Sequence, residues 1–365
     1  MSAITIPHDH AVSPGLWALA WRRLKADRIA MISLAIVAFF VAMMLASSLG
    51  LVAGDWSKEV GTNYAPPTWF KDDVAPPPPP GAPEGKPQDD PTVQAEPHAE
   101  GKGAEDRKDE SSVVDPLADV LKEVRTETAN AVQAPVVARL EPLPCGADKW
   151  GRDELKKVIK GSETSIFVGL ASAVVAVFLG TILGALAGFY GKWIDDVMNW
   201  FYNIFTSIPY LLLILAIAAV LNKKGMFTII LILGLTGWTG TFRLIRGEYL
   251  KHKEREYVRA ADAIGASNTR RMFVHIFPNV SHVVLVQISI LVVAFIKTEV
   301  ILSFLGFGVP VDVVSWGSML NEAQSEMILG KWWQLAAAGT TMAILVTAFS
   351  LFTDALRDAL DPKLK

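Results

Sequence analysis

Long apolar stretches without charged residues constrain the fold of this chain more than any other feature. The first, from Ile29 to Ala53, has 25 residues and carries no charge. Because a helix rises about 1.5 Å per residue and the hydrocarbon core of a bilayer is about 30 Å thick, about 20 such residues suffice to cross it. The apolar part of a cleavable signal peptide is shorter, about 7–15 residues. The stretch therefore predicts an uncleaved membrane-spanning helix.

Five further stretches of this kind follow in the second half of the chain. They cover residues 165–189, 200–221, 226–245, 280–303 and 333–353. With the first stretch they predict an all-α polytopic membrane protein with six transmembrane helices. A hydrophobic content of 51% agrees with that class. An even number of spans places both termini on the same side of the membrane.

Basic residues indicate which side that is, because cytoplasmic flanks of membrane helices carry an excess of Lys and Arg. Four basic residues precede the first span, at positions Arg22, Arg23, Lys25 and Arg28. The loop after the fourth span and the C-terminal tail contain Arg246, Lys251, Lys253, Arg255, Arg259, Arg270, Arg271, Arg357, Lys363 and Lys365. Lys223 and Lys224 are exceptions on the opposite side. Both termini are therefore predicted to be cytoplasmic.

These patterns divide the chain into five segments. They are a cytoplasmic N-terminal segment 1–28, the first transmembrane helix 29–53, an outer loop 54–150, a core 151–356 with five transmembrane helices, and a cytoplasmic tail 357–365. Residues 53–149 hold 19 Asp and Glu against 10 Lys and Arg, a net charge of −9 in a chain whose total is −3. The acidic character is thus concentrated outside the membrane.

The outer loop has the composition of a solvated linker. Residues 64–110 include the proline run APPPPPGAP and predict disordered or polyproline-type backbone. Further on, Asp115-Pro116 precedes Leu117, Val120, Leu121 and Val124, a spacing that predicts a short amphipathic helix. That helix either contacts a partner or covers its own loop. The single cysteine, Cys145, excludes an intrachain disulfide and a thiol metal cluster built by this chain alone.

Three features inside the spans have a structural interpretation. Gly180, Gly184 and Gly188 recur every fourth residue and predict a helix-packing face where a neighbouring backbone approaches closely; a pore-lining role is the alternative. Pro209 predicts a kink in the third span. Lys297 and Glu299, near the outer end of the fifth, are interpreted as interfacial anchors. Carboxylates or histidines buried near mid-membrane, which are more frequent in proton-coupled carriers, are not evident.

The polar loop from Glu254 to Asn279, EREYVRAADAIGASNTRRMFVHIFPN, is too polar to cross the membrane. Its pattern predicts a short helix Glu256–Ile264 ended by Gly265, and a second helix capped by Ser267 or Asn268. The second helix is expected to run to Pro278. The result is a helix–glycine–helix unit on the inner surface.

This loop resembles the "EAA" loop of bacterial ABC-importer permeases, with Ala260, Ala261, Gly265 and Pro278 at the family spacing. The wider context is similar to the C-type permease of dipeptide, oligopeptide and nickel importers over about residues 143–365: GADKWGRDEL, LAGFYGKWIDD, EVILSFLGFGVP, SWGSML and LRDALDPKLK. The N-terminal helix with its lead RRLKADRIA is also similar. The chain departs from the family in having Arg259 where glutamate is frequent and Phe277 where leucine is common.

The resemblance implies one half of the translocation pathway of an ATP-driven importer of di- or oligopeptides in the bacterial inner membrane. Expected partners are a homologous B-type permease, one or two cytoplasmic ATPases and an extracytoplasmic solute-binding protein. The residues expected to couple to the ATPase are Glu256, Tyr257, Arg259, Ala260, Ala261, Gly265, Ala266, Ser267 and Pro278. Because the chain has no GxxxxGK[ST] phosphate loop, ATP and Mg²⁺ are expected on the ATPases, and this chain is predicted to be neither an enzyme nor a cofactor carrier.

Three alternatives differ in class. Nickel or another small solute is a different cargo for the same machine. An ATP-independent secondary carrier would need internal ion or proton sites, and a membrane scaffold would assemble with the same partners without solute flux. The polar inner loop favours the importer, and no nucleic-acid role is indicated.

Overall fold

A computed structural model describes residues 16–70 and 142–360. All regular structure in these two ranges is helical, and the extended backbone is limited to two isolated bridges. The amphipathic helix predicted near residue 117, most of the proline-rich linker and the last five residues lie outside the described ranges.

Eleven helices are described. They are α1 (Leu16–Ala26), α2 (Arg28–Ser48), α3 (Glu154–Tyr190), α4 (Lys192–Ser207), α5 (Tyr210–Leu221), α6 (Met226–Thr236), α7 (Thr239–Lys253), α8 (Glu256–Ala263), α9 (Asn268–Phe304), α10 (Trp316–Ile328) and α11 (Trp333–Leu360). Five spans are long and apolar enough to cross a bilayer: α2, α3, α6 with α7, α9 and α11. The pair α4–α5 makes a sixth if it is one broken span. The prediction of a polytopic all-α membrane protein is confirmed.

Helix α3 is the centre of the bundle and packs against α2, α6, α7 and α9. Its 37 residues correspond to about 55 Å, well beyond a hydrocarbon core of about 30 Å. Asp153 caps its N-terminus by accepting a hydrogen bond from the Leu155 N–H at 2.8 Å. The first turns of α3 therefore project beyond the membrane at the predicted outer end.

The third span is bent far more than a proline kink. Helices α4 and α5 meet at 86°. Ile208 is extended, with φ −99° and ψ 132°, as expected for a residue before proline. The helix therefore ends before Pro209 and restarts at Tyr210 in a new direction. Helix α4 is amphipathic and has no fully buried residue.

The predicted end of the second loop helix at Pro278 is wrong. Helix α9 begins at Asn268 and continues to Phe304. A π-helical turn occupies Arg271–Ile276, and the Phe277 N–H donates to the Met272 carbonyl. In this wider turn proline enters at the start of the following α-helical section, where its missing N–H disturbs the hydrogen bonding least.

An outer cap, formed by residues 49–70, 142–153 and 305–332, covers the predicted outer end of the bundle. Backbone N–H groups of Val60, Ala147 and Thr68 donate to carbonyls of Gly151, Ala65 and Leu143 across 2.8–2.9 Å. The Trp333 indole N–H donates to the Ala147 carbonyl at 2.9 Å. Residues 64–70, which the sequence assigns to the linker, are thus part of the folded cap.

Candidate functional site

The inner loop projects α8 from the end of the bundle opposite the outer cap. One face of α8 is anchored in the helix bundle by Val258 and Ala261, which are 2% and 4% exposed. Val258 packs in an apolar cluster with Phe189, Tyr249 and Met272 from α3, α7 and α9. The short helix is therefore held by three spans, although eight residues alone would be marginal in water.

The other face of α8 is available to a partner. Glu256, Tyr257, Arg259 and Ala260 are all exposed. Ala260 offers a small side chain, which lets a neighbouring surface approach the helix closely. Arg259 donates to Glu254 at 2.8 Å, but both side chains are about 70% exposed. An ion pair this exposed contributes little to stability, so Arg259 can re-pair with a partner.

Ile264 is the residue of this surface that the sequence did not single out. It directly follows α8 and is 85% exposed. The Ile264 side chain therefore adds nothing to the core, and with the neighbouring Ala260 and Gly265 it leaves this end of α8 open to contact. In the sequence Ile264 is the last residue of the predicted helix, and nothing in the periodicity distinguishes it from a buried residue.

Gly265 and Ser267 fix the turn between α8 and α9. Gly265 has φ +82°, a left-handed conformation that favours glycine. The N–H of Gly265 donates to the Asp262 carbonyl and that of Ala266 to the Ala261 carbonyl, at 2.9 and 3.0 Å, the pairing of a Schellman motif. The Ser267 hydroxyl caps α9 by accepting from the Arg270 N–H at 3.3 Å. The turn is thus hydrogen-bonded throughout.

Two side-chain contacts brace the turn against the spans. Arg271 pairs with Asp262 at 2.6 Å and lies 5.5 Å above the Phe189 ring. Tyr257 Oη is 2.8 Å from His252 Nδ1 and accepts from the Asn279 amide at 3.4 Å. Partial burial raises the pKa of the Tyr257 hydroxyl, which therefore keeps its proton at physiological pH. Pro278, also among the predicted coupling residues, is exposed one residue before Asn279.

The three glycines of α3 lie against α7. A Cβ at Gly180, Gly184 or Gly188 would lie 2.6–2.7 Å from a backbone carbonyl oxygen of α7 or of Trp238, which directly precedes it. Real Cβ atoms essentially never approach this closely. The glycines therefore permit direct backbone contact between α3 and α7, the helix that immediately precedes α8.

Comparison with known proteins decides the family. The model of the family described as "binding-protein-dependent transport system inner membrane component" matches residues 180–365, slightly more than half of the chain. The chain belongs to this family. A second model, the N-terminal transmembrane domain of oligopeptide transport permease C, matches residues 15–67 of the permease.

The permease is similar to transport permeases named for oligopeptides, dipeptides and glutathione. It is 39% identical over 220 residues to the oligopeptide permease OppC of Bacillus subtilis, which covers 60% of this chain and 72% of that protein. It is 37% identical over 229 residues to the dipeptide permease DppC of Bacillus subtilis, covering 61% and 71%. The glutathione permease GsiD of Pectobacterium atrosepticum is 35% identical over 222 residues, covering 60% and 72%.

Among solved structures, a chain of the inward-facing MetNI methionine ABC transporter matches with a TM-score of 0.46 and 15% identity. The match covers 56% of the permease and 96% of that chain. So distant a likeness carries no argument about this permease.

One expectation about buried charge is wrong. Lys297 is exposed, in agreement with an interfacial position, but Glu299 is fully buried. Its carboxylate accepts from the hydroxyls of Ser165 and Ser303, both at 2.7 Å. The interpretation of Glu299 as an interfacial anchor is therefore wrong, while its position near the outer end of α9 leaves the argument about mid-membrane carboxylates unchanged. Family membership supports the importer independently.

Proposed function

We propose that this permease forms half of the translocation pathway of an ATP-driven peptide importer in the bacterial inner membrane. The observation that carries the proposal is α8, anchored through Val258 and Ala261 with its Ala260 and Ile264 side turned away from the bundle. In the proposed assembly this exposed side docks on a cytoplasmic ATPase. Nucleotide-driven closure of the ATPases would move α8 and reorient the spans.

The proposed assembly contains three kinds of partner protein. A homologous permease completes the pathway, one or two ATPases hold ATP and Mg²⁺, and an extracytoplasmic binding protein delivers the solute. Peptides are proposed as cargo because the oligopeptide and dipeptide permeases of Bacillus subtilis match with 39% and 37% identity. In this proposal the inner-loop residues contact the ATPase and do not determine which solute is transported.

A pair of identical substitutions tests the docking surface. Ile264 and Ile328 are both 85% exposed, but they lie at opposite ends of the bundle. We expect Ile264→Asp to reduce ATPase co-purification at least about 10-fold, the loss typical of a central interface residue. Ile328→Asp should leave co-purification unchanged. Equal ATPase recovery with both variants would contradict docking through α8.

Cargo is tested separately with the complete complex in proteoliposomes. Uptake of a labelled dipeptide, dependent on ATP and on the binding protein, is the expected result. Nickel uptake without peptide uptake would assign the cargo to the alternative solute. Flux that persists without ATP would instead place the permease among secondary carriers.

A further inference from the structure

Four carboxylates surround a single ammonium group inside the outer cap. Asp148 and Glu154 are fully buried, and Lys157 and Glu326 are each 2% exposed. Glu322 completes the group with a side chain that is 25% exposed. We call these five residues the outer carboxylate cluster. If all four acids were ionised, the cluster would carry a net charge of −3 in a largely dry environment.

Helix α10 runs antiparallel along the projecting end of α3, which explains how the cluster forms. Near the start of α10, the Trp316 indole N–H donates to the Val158 carbonyl at 3.1 Å. Further along, Glu322 pairs with Lys157 at 2.7 Å. Glu326 lies one turn beyond Glu322, close enough for its charge to act on the carboxyl of Glu154, the first residue of α3.

Hydrogen bonds divide the four acids into two classes. Asp148 accepts from the backbone N–H groups of Trp150 and Arg152 at 2.9 Å and from Lys157 at 3.0 Å. Glu322 accepts from Lys157 and, at 3.2 Å, from the Gln334 amide. By contrast, neither oxygen of Glu154 or of Glu326 has a hydrogen-bond partner in the described part of the chain.

Two buried carboxylates that are ionised but accept no hydrogen bond would be strongly destabilising, because each loses its hydration without gaining a donor in return. Binding a proton removes one charge and supplies the hydrogen that a neighbouring carboxylate oxygen can accept. The described residues include no group of three or more His, Cys, Asp or Glu arranged to hold a metal ion. The arrangement therefore fits a proton rather than a metal cation.

We infer that Glu154 and Glu326 form a proton-binding site in the outer cap, and that release of the proton loosens α10 from α3. The predicted orientation of the bundle in the membrane decides only which compartment's pH the site senses. The inference depends on neither the ATPase nor the cargo, so it survives if the proposed function fails.

The direction of the pH effect follows from Glu326. Burial, with further contributions from Glu322 and Asp148, raises the pKa of its carboxyl from 4.5 to about 7. A raised carboxyl pKa stabilises the protonated fold, so its stabilising contribution is complete below about pH 4.5 and is lost as the pH rises through about 7. The charged groups that face Glu326 are Asp148 and Lys149 from the loop before α3, Glu154 and Lys157 from α3, and Glu322 from α10.

Hydrogen exchange of the full chain in lipid nanodiscs tests the inference. Protection of the α10 amides, corrected for the intrinsic pH dependence of exchange, should fall as the pH rises from about 4.5 to about 8, by at most the roughly 300-fold that the pKa shift allows. Glu326→Gln should abolish this fall, because its neutral amide mimics the protonated acid. Asp312→Asn is the control, since Asp312 is exposed in the same cap and its substitution should leave the fall intact.

A second measurement does not depend on the variants folding. The infrared carbonyl band of a protonated carboxylic acid should be present in the wild type near neutral pH and decrease as the pH rises.

In the hydrogen-exchange experiment, Glu154→Gln should also change the amplitude of the pH-dependent fall in α10 protection. α10 protection that is independent of pH in the wild type, or a fall that persists unchanged in Glu326→Gln, would overturn the inference.

Discussion

Replacing Gly184 with alanine tests whether the glycine face of α3 sets its distance from α7. The added Cβ would lie 2.7 Å from the Phe242 carbonyl oxygen and 3.1 Å from the Arg246 backbone nitrogen. Ordinary van der Waals contact begins near 3.4 Å, so α7 must withdraw by about 0.7 Å, enough to weaken dispersion contacts along the interface. Overpacking of this kind lowers the free energy of unfolding by about 1–3 kcal/mol.

Gly247→Ala provides a matched control on the facing helix. Gly247 is exposed in α7, and a Cβ there would have no atom within 4 Å. Both substitutions gain a similar helix propensity, about 1 kcal/mol. The difference between the two variants in the free energy of unfolding therefore contains only the packing contribution. We expect Gly184→Ala to be about 1–3 kcal/mol less stable than Gly247→Ala.

Unfolding in mixed micelles of increasing SDS content, followed by tryptophan fluorescence, measures this difference. Both variants should insert and purify normally, because neither changes charge or hydrophobic length. If Gly184→Ala unfolds at the same SDS content as Gly247→Ala, or at a higher one, the backbone contact does not constrain α3 and α7 and the reasoning is refuted.

Three further predictions concern single contacts. A side chain at Gly265 would meet open space, but the left-handed backbone there costs a valine about 1–2 kcal/mol. Gly265→Val should therefore disturb the turn after α8 and lower the solute taken up per ATP hydrolysed. An unchanged ratio would count against the proposed coupling role. Ser165→Ala removes one of the two donors to Glu299 and should lower the free energy of unfolding by about 1–3 kcal/mol in the same SDS assay. Asp195→Asn removes the partly buried ion pair with Arg246, and should cost about 1 kcal/mol with a smaller effect at high salt.

Features with a local cause were predictable from the sequence. The apolar stretches identified the membrane-spanning helices because length and hydropathy are properties of contiguous residues. The turn after α8 was equally local: Gly265 supplies the left-handed residue and Ser267 the cap. Both motifs satisfy backbone groups within a few residues of themselves, so no tertiary information was needed.

Features that depend on distant partners were not predictable. The sequence suggests an interfacial charge at Glu299 because one of its hydrogen-bond donors, Ser165, is remote in sequence. Ser165 donates to Glu299 at 2.7 Å and accepts from the Trp316 N–H at 3.2 Å. Pro209 and Pro278 show the same limit. One ends a helix at an 86° bend, and the other follows a π-helical turn inside a continuous helix. Proline chemistry is common to both, and the surrounding packing decides the outcome.

Helix α9 runs continuously from the turn after α8 to the buried Glu299 near its other end. Its first residues follow the Gly265 turn, and Glu299 lies in its last two turns. Near the inner end, the buried Tyr249 hydroxyl donates to the Met272 carbonyl at 3.2 Å, which joins the π-helical turn of α9 to α7. Helices α7 and α9 are therefore joined near α8, and α7 in turn packs against the glycines of α3. π-helical turns often mark functional irregularities in helices, and Arg271–Ile276 is the irregular part of α9 that lies between α8 and the outer cap.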